Sequence, residues 1–90
     1  MNYFIEGETV VITARLRTYG VLFNPTSMKI TIRDPDELPV IEDADMNQEN
    51  TGIYSYEHTL SGSQTGKYTV VCTAISGTKT EITERAFGVR

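Results

Sequence analysis

The chain lacks tryptophan altogether and has one cysteine, one histidine and three prolines in ninety residues. A single cysteine excludes an internal disulfide, so the fold must rest on packing alone. No apolar run approaches the twenty or so residues that a membrane-spanning helix needs, so no membrane partner is expected. Met1-Asn2-Tyr3-Phe4-Ile5-Glu6 has neither a basic start nor an apolar run, and is not expected to act as a signal peptide. A virion or cytoplasmic setting is expected for a free-standing chain, and an extracellular one for a domain of a larger protein. Lysine and arginine are absent between Arg33 and Lys67, while Asp34, Asp36, Glu37, Glu42, Asp43, Asp45, Glu49 and Glu57 fall in that interval. The net charge of −4 thus conceals a dipolar arrangement with one acidic side. Without a basic stripe to neutralise phosphates, nucleic-acid binding is not expected.

What the chain has in quantity is threonine and alternation. β-branched residues pack well on a pleated surface, and their abundance favours strands over helices. From Thr9 to Arg17, Val10, Ile12, Ala14 and Leu16 point one way while Val11, Thr13, Arg15 and Arg17 point the other, the pattern of a half-buried strand. Met28, Ile30 and Ile32 alternate with Lys29, Thr31 and Arg33 until Asp34-Pro35 stops the run, since proline cannot donate to a ladder. A short edge strand is expected at Pro39-Val40-Ile41, followed by a polar turn. Tyr54, Tyr56, His58 and Leu60 share one face of the next strand, and Tyr68, Val70, Cys72 and Ala74 one face of the strand after that. These two strands need not lie in one sheet. A last strand is expected through Thr80, Ile82, Thr83, Arg85 and Phe87 to Val89, with a bulge that switches which parity faces inward. No helix of ordinary length fits, and no internal repeat is visible. The length suits one domain, residues 1–90, with a net stability of about 5–10 kcal/mol.

Two strands open on a glycine and a tyrosine, Thr51-Gly52-Ile53-Tyr54-Ser55-Tyr56 and Thr65-Gly66-Lys67-Tyr68-Thr69-Val70. Together with Asn24-Pro25-Thr26-Ser27, Asp34-Pro35, Leu60 and the terminal Phe87-Gly88-Val89, they cover almost the whole chain. The set resembles the immunoglobulin-like modules of bacterial and archaeal surface proteins, phage structural proteins and macroglobulin-type domains. The resemblance implies an all-β, antiparallel, Greek-key sandwich of about seven strands without a disulfide. In such sandwiches a tyrosine near the start of the penultimate strand, here Tyr68, hydrogen-bonds back to the backbone under the corner where the chain changes sheets. Tyr54 and Tyr56 are structural in the same reading. The resemblance implies a non-enzymatic role and brings no catalytic or ligand residue with it.

The candidate sites are few. Asp43-Ala44-Asp45-Met46-Asn47-Gln48-Glu49 sets oxygens at alternate positions, as calcium loops do, so Asp43, Asp45, Asn47 and Glu49 form a candidate metal set. It is incomplete: Gln48 stands where the sharp turn needs glycine, and Tyr54 where the bidentate glutamate belongs. A solvated turn is the expectation there, with no metal and no cofactor. Cys72 alternates with Val70 and Ala74, which marks it as core and not as a nucleophile. His58 is expected to be a packing residue, and Ser61, Ser63 and Ser76 sit in glycine-containing turns with no pattern to activate them. Tyr19-Gly20-Val21-Leu22-Phe23-Asn24-Pro25 is more apolar than a loop should be. Val21, Leu22 and Phe23 either fold back to cap the sandwich end or form an exposed patch for a protein partner, and Tyr3 and Phe4 join that patch or pair as a first strand. That partner is expected to be other copies of the chain or an assembly or surface protein. The expected function is a structural or protein-interaction module, with a carbohydrate- or calcium-dependent adhesive module as the alternative. The absence of tryptophan, which sugar platforms favour, counts against the alternative.

Overall fold

A computed structural model describes residues 2–62 and 64–90, so Ser63 lies outside the described residues. Strands follow one another in the order β1 (Asn2–Phe4), β2 (Thr9–Arg15), β3 (Arg17–Thr18), β4 (Val21–Leu22), β5 (Ser27–Arg33), β6 (Pro39–Asp45), β7 (Asn47–Asn50), β8 (Ile53–Thr59), β9 (Gly66–Ser76) and β10 (Lys79–Val89). No helix forms among the described residues, and so none is long and apolar enough to cross a membrane. Five strands make one sheet in the order β1-β10-β9-β5-β6, three make a second in the order β2-β8-β7, and β3 and β4 form a small ribbon. Pairing is antiparallel throughout except for β1, which runs parallel to the end of β10.

The period-two pattern explains how the two sheets come to share one core. Met28, Ile30 and Ile32 of β5 and Tyr68, Val70, Cys72 and Ala74 of β9 are buried from the five-stranded sheet, Val10 and Tyr54 from the other. They belong to one apolar cluster, which Phe87 and Val89 close at one end and Leu16, Met46 and Leu60 complete from the connections. Each large aliphatic side chain so buried contributes about 1.5–3 kcal/mol. The strands carrying Tyr54 and Tyr68 do lie in different sheets. The chain crosses between them through the segment after β8, where Leu60 is fully buried.

Tyr68 holds that corner. Its ring stacks on Phe87 with centroids 5.2 Å apart, and Phe87 in turn takes Phe4 edge-on at 5.8 Å. Only 2% of Tyr68 is exposed, and its hydroxyl donates to the Gln64 carbonyl at 2.8 Å. Tyr68→Phe keeps the stacking and removes one hydrogen bond to a backbone acceptor at the corner. A loss of about 1–2 kcal/mol in urea unfolding is expected. A midpoint unchanged within error would detach the hydroxyl from the stability of the corner.

Three expectations are corrected. Ten strand segments form in place of about seven: Tyr3 and Phe4 pair as the first strand, β1, and the additional segments are β3 and β4 of the ribbon and β7. The segment after Pro39-Val40-Ile41 is not a polar turn: β6 runs on to Asp45 and β7 follows at once, because Met46 between them is buried and donates its N–H to the Met28 carbonyl at 3.1 Å. The bulge expected in the last strand is absent, since β10 pairs with β9 in unbroken register from Lys79↔Ser76 to Val89↔Gly66. Irregular pairing falls instead between β5 and β6, near Asp43 with its positive φ of 47°, and between β7 and β8. Without a bulge, Glu81, Thr83 and Arg85 share the parity of Phe87 and Val89, and Ile82 faces outward at 67% exposure.

Candidate functional site

The apolar loop divides into an anchored base and an exposed tip. Arg17 pairs with Leu22 and Thr18 with Val21, making the ribbon a tight hairpin whose turn is Tyr19-Gly20. Phe23 is half-buried and packs against the core, Leu22 is half-buried, and Val21 is 67% exposed. The loop is therefore divided: Phe23 packs against the core as a cap would, while Val21 stays exposed. Tyr19, fully exposed at a positive φ of 51°, completes the tip. Sequence reasoning did not single it out, because an aromatic in the left-handed region leaves no periodic signal.

The base of this hairpin is tied to the β7–β8 turn. Leu16 donates its N–H to the Gly52 carbonyl at 2.8 Å, and Phe23 donates to the Leu16 carbonyl at 3.2 Å. The Asn24 side-chain oxygen accepts from the Gly52 N–H at 2.8 Å and from the Gln48 amide at 2.9 Å. Gly52, at φ 69°, lies so close that a Cβ would stand 2.9 Å from the Leu16 carbonyl oxygen and from both the nitrogen and oxygen of Phe23. An exposed apolar tip is thus carried on a fixed backbone, and little ordering is left to be lost when something binds it.

A second feature lies where the two sheets part. β2 is the edge of the three-stranded sheet, and β10 is paired on its outer side only at Phe87–Val89, by β1. A cleft of about 490 Å³ opens between these edges, with Val70, Cys72 and Ala74 on its floor and Ile12, Glu81 and Arg85 on its walls. Ile12 and Ala14 are consequently only half-buried, although their alternation reads as core.

The carboxylates gather on the other side. Glu42, Asp43 and Asp45 belong to β6 and Glu49 to β7, the outer strands of the two sheets away from the cleft. Asp34 folds the approach to β6, its side chain accepting from the N–H groups of Asp36 and Leu38, both at 2.9 Å. The four candidate metal ligands do not converge. Asp45 is paired with Lys29, Glu49 accepts from Ser55, and Asp43 lies at the irregular stretch where its N–H donates to Thr31. Among the described residues no group of three or more histidine, cysteine, aspartate or glutamate side chains is placed to hold a metal ion. Charge on outer strands of this kind opposes edge-to-edge pairing.

Residues considered for chemistry are scattered. His58 is half-buried beside Thr59, Ser61 and Gly62, where burial holds its imidazole below the ordinary range. Cys72 is 5% exposed, and burial pushes its thiol up, an effect the nearby Arg85 guanidinium partly opposes. Because the thiolate is the reactive form, a raised value leaves less of it at any given pH. Native Cys72 should label more than roughly tenfold slower than the same chain in urea at pH 8, and the rate should still climb with pH beyond the ordinary thiol range. Equal rates in the two states would mean an accessible, reactive thiol. Compared with known proteins, the chain matches no family model and no curated protein sequence.

Proposed function

We propose that this chain is an immunoglobulin-like Greek-key sandwich serving as a non-enzymatic structural or protein-interaction module, of the kind built into virions, prophage-encoded assemblies or modular surface proteins. The strand order supports the fold reading: one sheet holds β10-β9-β5, the other β2-β8-β7, and consecutive β8 and β9 lie in different sheets, as they would in an immunoglobulin arrangement. One observation carries the function reading, namely the exposed Tyr19 and Val21 on a hairpin whose base is fixed by Gly52 and Asn24. Rigid, amphipathic aromatic residues at the end of a sandwich are efficient contact groups, because they bring much area with little side-chain entropy to lose.

The test is a photo-reactive residue in place of Val21, irradiated in the organism that encodes the chain, with the same residue in place of the exposed Glu57 as control. A discrete protein adduct at position 21, absent at 57 and lost when Tyr19→Ser is added, is the expected result. No adduct at 21, or equal adducts at both positions, would overturn the assignment of the tip as a binding surface.

A further inference from the structure

From the free part of β10 we infer a specific partner for this module, a second copy of the same chain, docked antiparallel along Thr80 to Ala86 about a two-fold axis at Thr83. The inference rests on the protein-interaction reading but uses a different surface from the hairpin tip.

The backbone of this stretch is satisfied on one side by β9 and has no strand on the other among the described residues, since β1 reaches only Phe87 to Val89. Such an edge is a template for another strand unless something guards it. The other outer strand of the same sheet is guarded: β6 begins with Pro39, pairs irregularly, and carries Glu42, Asp43 and Asp45, so two copies meeting there would oppose like charges. The β10 edge has mixed charge, and the order of its charges selects one register.

In an antiparallel pair related by a two-fold axis normal to the sheet, opposite residues keep the same face. Centring on Glu81, Glu84 or Arg85 sets that residue against its own copy, centring on Ile82 sets Lys79 against Arg85, and centring on Thr80 pairs the strands only over Lys79 to Glu81. Centring on Thr83 places Glu81 opposite Arg85 of the second copy, twice by symmetry, with Thr83 against Thr83. Both charged side chains lie on the cleft-facing parity, opposite Ala74 and Val70 of β9. Neither has an ion-pair partner among the described residues, where the one salt bridge is Lys29–Asp45. Pairing in this register joins two five-stranded sheets into one and brings the two clefts, with their half-buried Ile12 and Ala14, to face each other across the axis.

The experiment is sedimentation velocity on the full chain and three variants, with circular dichroism to confirm the fold of each. Wild type is expected to reach twice the 10.1 kDa chain mass at micromolar to millimolar concentration. Glu81→Arg and Arg85→Glu each set like charges opposite one another twice, and should weaken association by roughly tenfold or more. The double variant Glu81→Arg/Arg85→Glu should recover it. Mixing the two single variants should give a heterodimer, since every arginine then meets a glutamate. A monomeric wild type, a dimer indifferent to both reversals, or no recovery in either the double variant or the mixture would overturn the inference. A monomeric wild type whose position 21 still yields a discrete adduct would leave the interaction reading standing with a different occupant for this edge. A charge-dependent dimer without that adduct would do the reverse.

Discussion

Gly52→Ala is expected to remove about 3–5 kcal/mol of stability, a large part of what a chain of ninety residues has. Two separate costs meet at this position. The backbone sits at φ 69°, where a residue with a Cβ is strained by about 1–3 kcal/mol. The added carbon would also press on the Leu16 carbonyl and on both polar backbone atoms of Phe23, and backbone atoms, unlike the end of a side chain, cannot swing aside. Gly77 separates the two effects. It has a similar φ of 62° but open space where the Cβ would go, so Gly77→Asn should be nearly neutral, asparagine tolerating the left-handed region. Gly52→Asn should be almost as damaging as Gly52→Ala, because the clash remains. Urea midpoints of the three variants test this. Gly52→Asn at wild-type stability would mean that the close approach to the hairpin base is not maintained in solution, and with it would go the fixed presentation of Tyr19 and Val21.

Much of the fold was legible because each long strand has a buried face written at period two. Met28-Ile30-Ile32 and Tyr68-Val70-Cys72-Ala74 read as core and are buried in every position named. Tyr68 was legible for a chemical reason as well, since a buried phenol needs an acceptor and the turn before its strand supplies one. Failures came where no period exists to read. β7 is exposed throughout, held only as the outer neighbour of β8, and Asn47 to Asn50 carry no apolar alternation. β3 and β4 are two residues each, too short for a pattern. The bulge expected in β10 does not form because the two sheets part beside that strand, so its inner positions, Glu81, Thr83 and Arg85, need not be apolar and Ile82 can face outward. That same departure from the core pattern marks the edge to which a second copy is assigned.

The candidate site was half legible. Val21-Leu22-Phe23 stood out by hydropathy, but only tertiary structure divides it, because whether each residue caps or protrudes depends on the turn at Tyr19-Gly20 and on the tie to Gly52. The acidic segment shows the converse. Alternating Asp43, Asp45, Asn47 and Glu49 satisfies a ligand spacing in one dimension, yet the chain there is extended and changes sheets at Met46. Spacing in sequence gives convergence only when the backbone curls around a point, and two outer strands do not.

Cys72→Asp is the most disruptive single change expected on the core side. Cys72 lies in the middle of β9, flanked in the sheet by Ile30 of β5 and Thr83 of β10. Shortening it to alanine leaves a small cavity and should cost about 1 kcal/mol. A carboxylate of similar size has to be desolvated there, and the nearest cation, Arg85, is on an exposed strand position where water competes for it. A loss exceeding about 4 kcal/mol at pH 7 is expected, enough to leave the chain largely unfolded or at the margin. The pH dependence gives the cause away. Burial favours the neutral acid, so the folded-state pKa of the introduced carboxyl would lie above its unfolded value. The variant's deficit relative to wild type should therefore be smallest below the unfolded carboxylate range and grow as pH rises through the folded value. Replacing Arg85 with Ala in the same background should deepen the deficit at neutral pH by removing the one partial counter-charge. Urea unfolding of wild type, Cys72→Ala and Cys72→Asp at acid and neutral pH measures all of these. A Cys72→Asp variant as stable as Cys72→Ala at both pH values would show that the thiol position on the cleft floor is open to water.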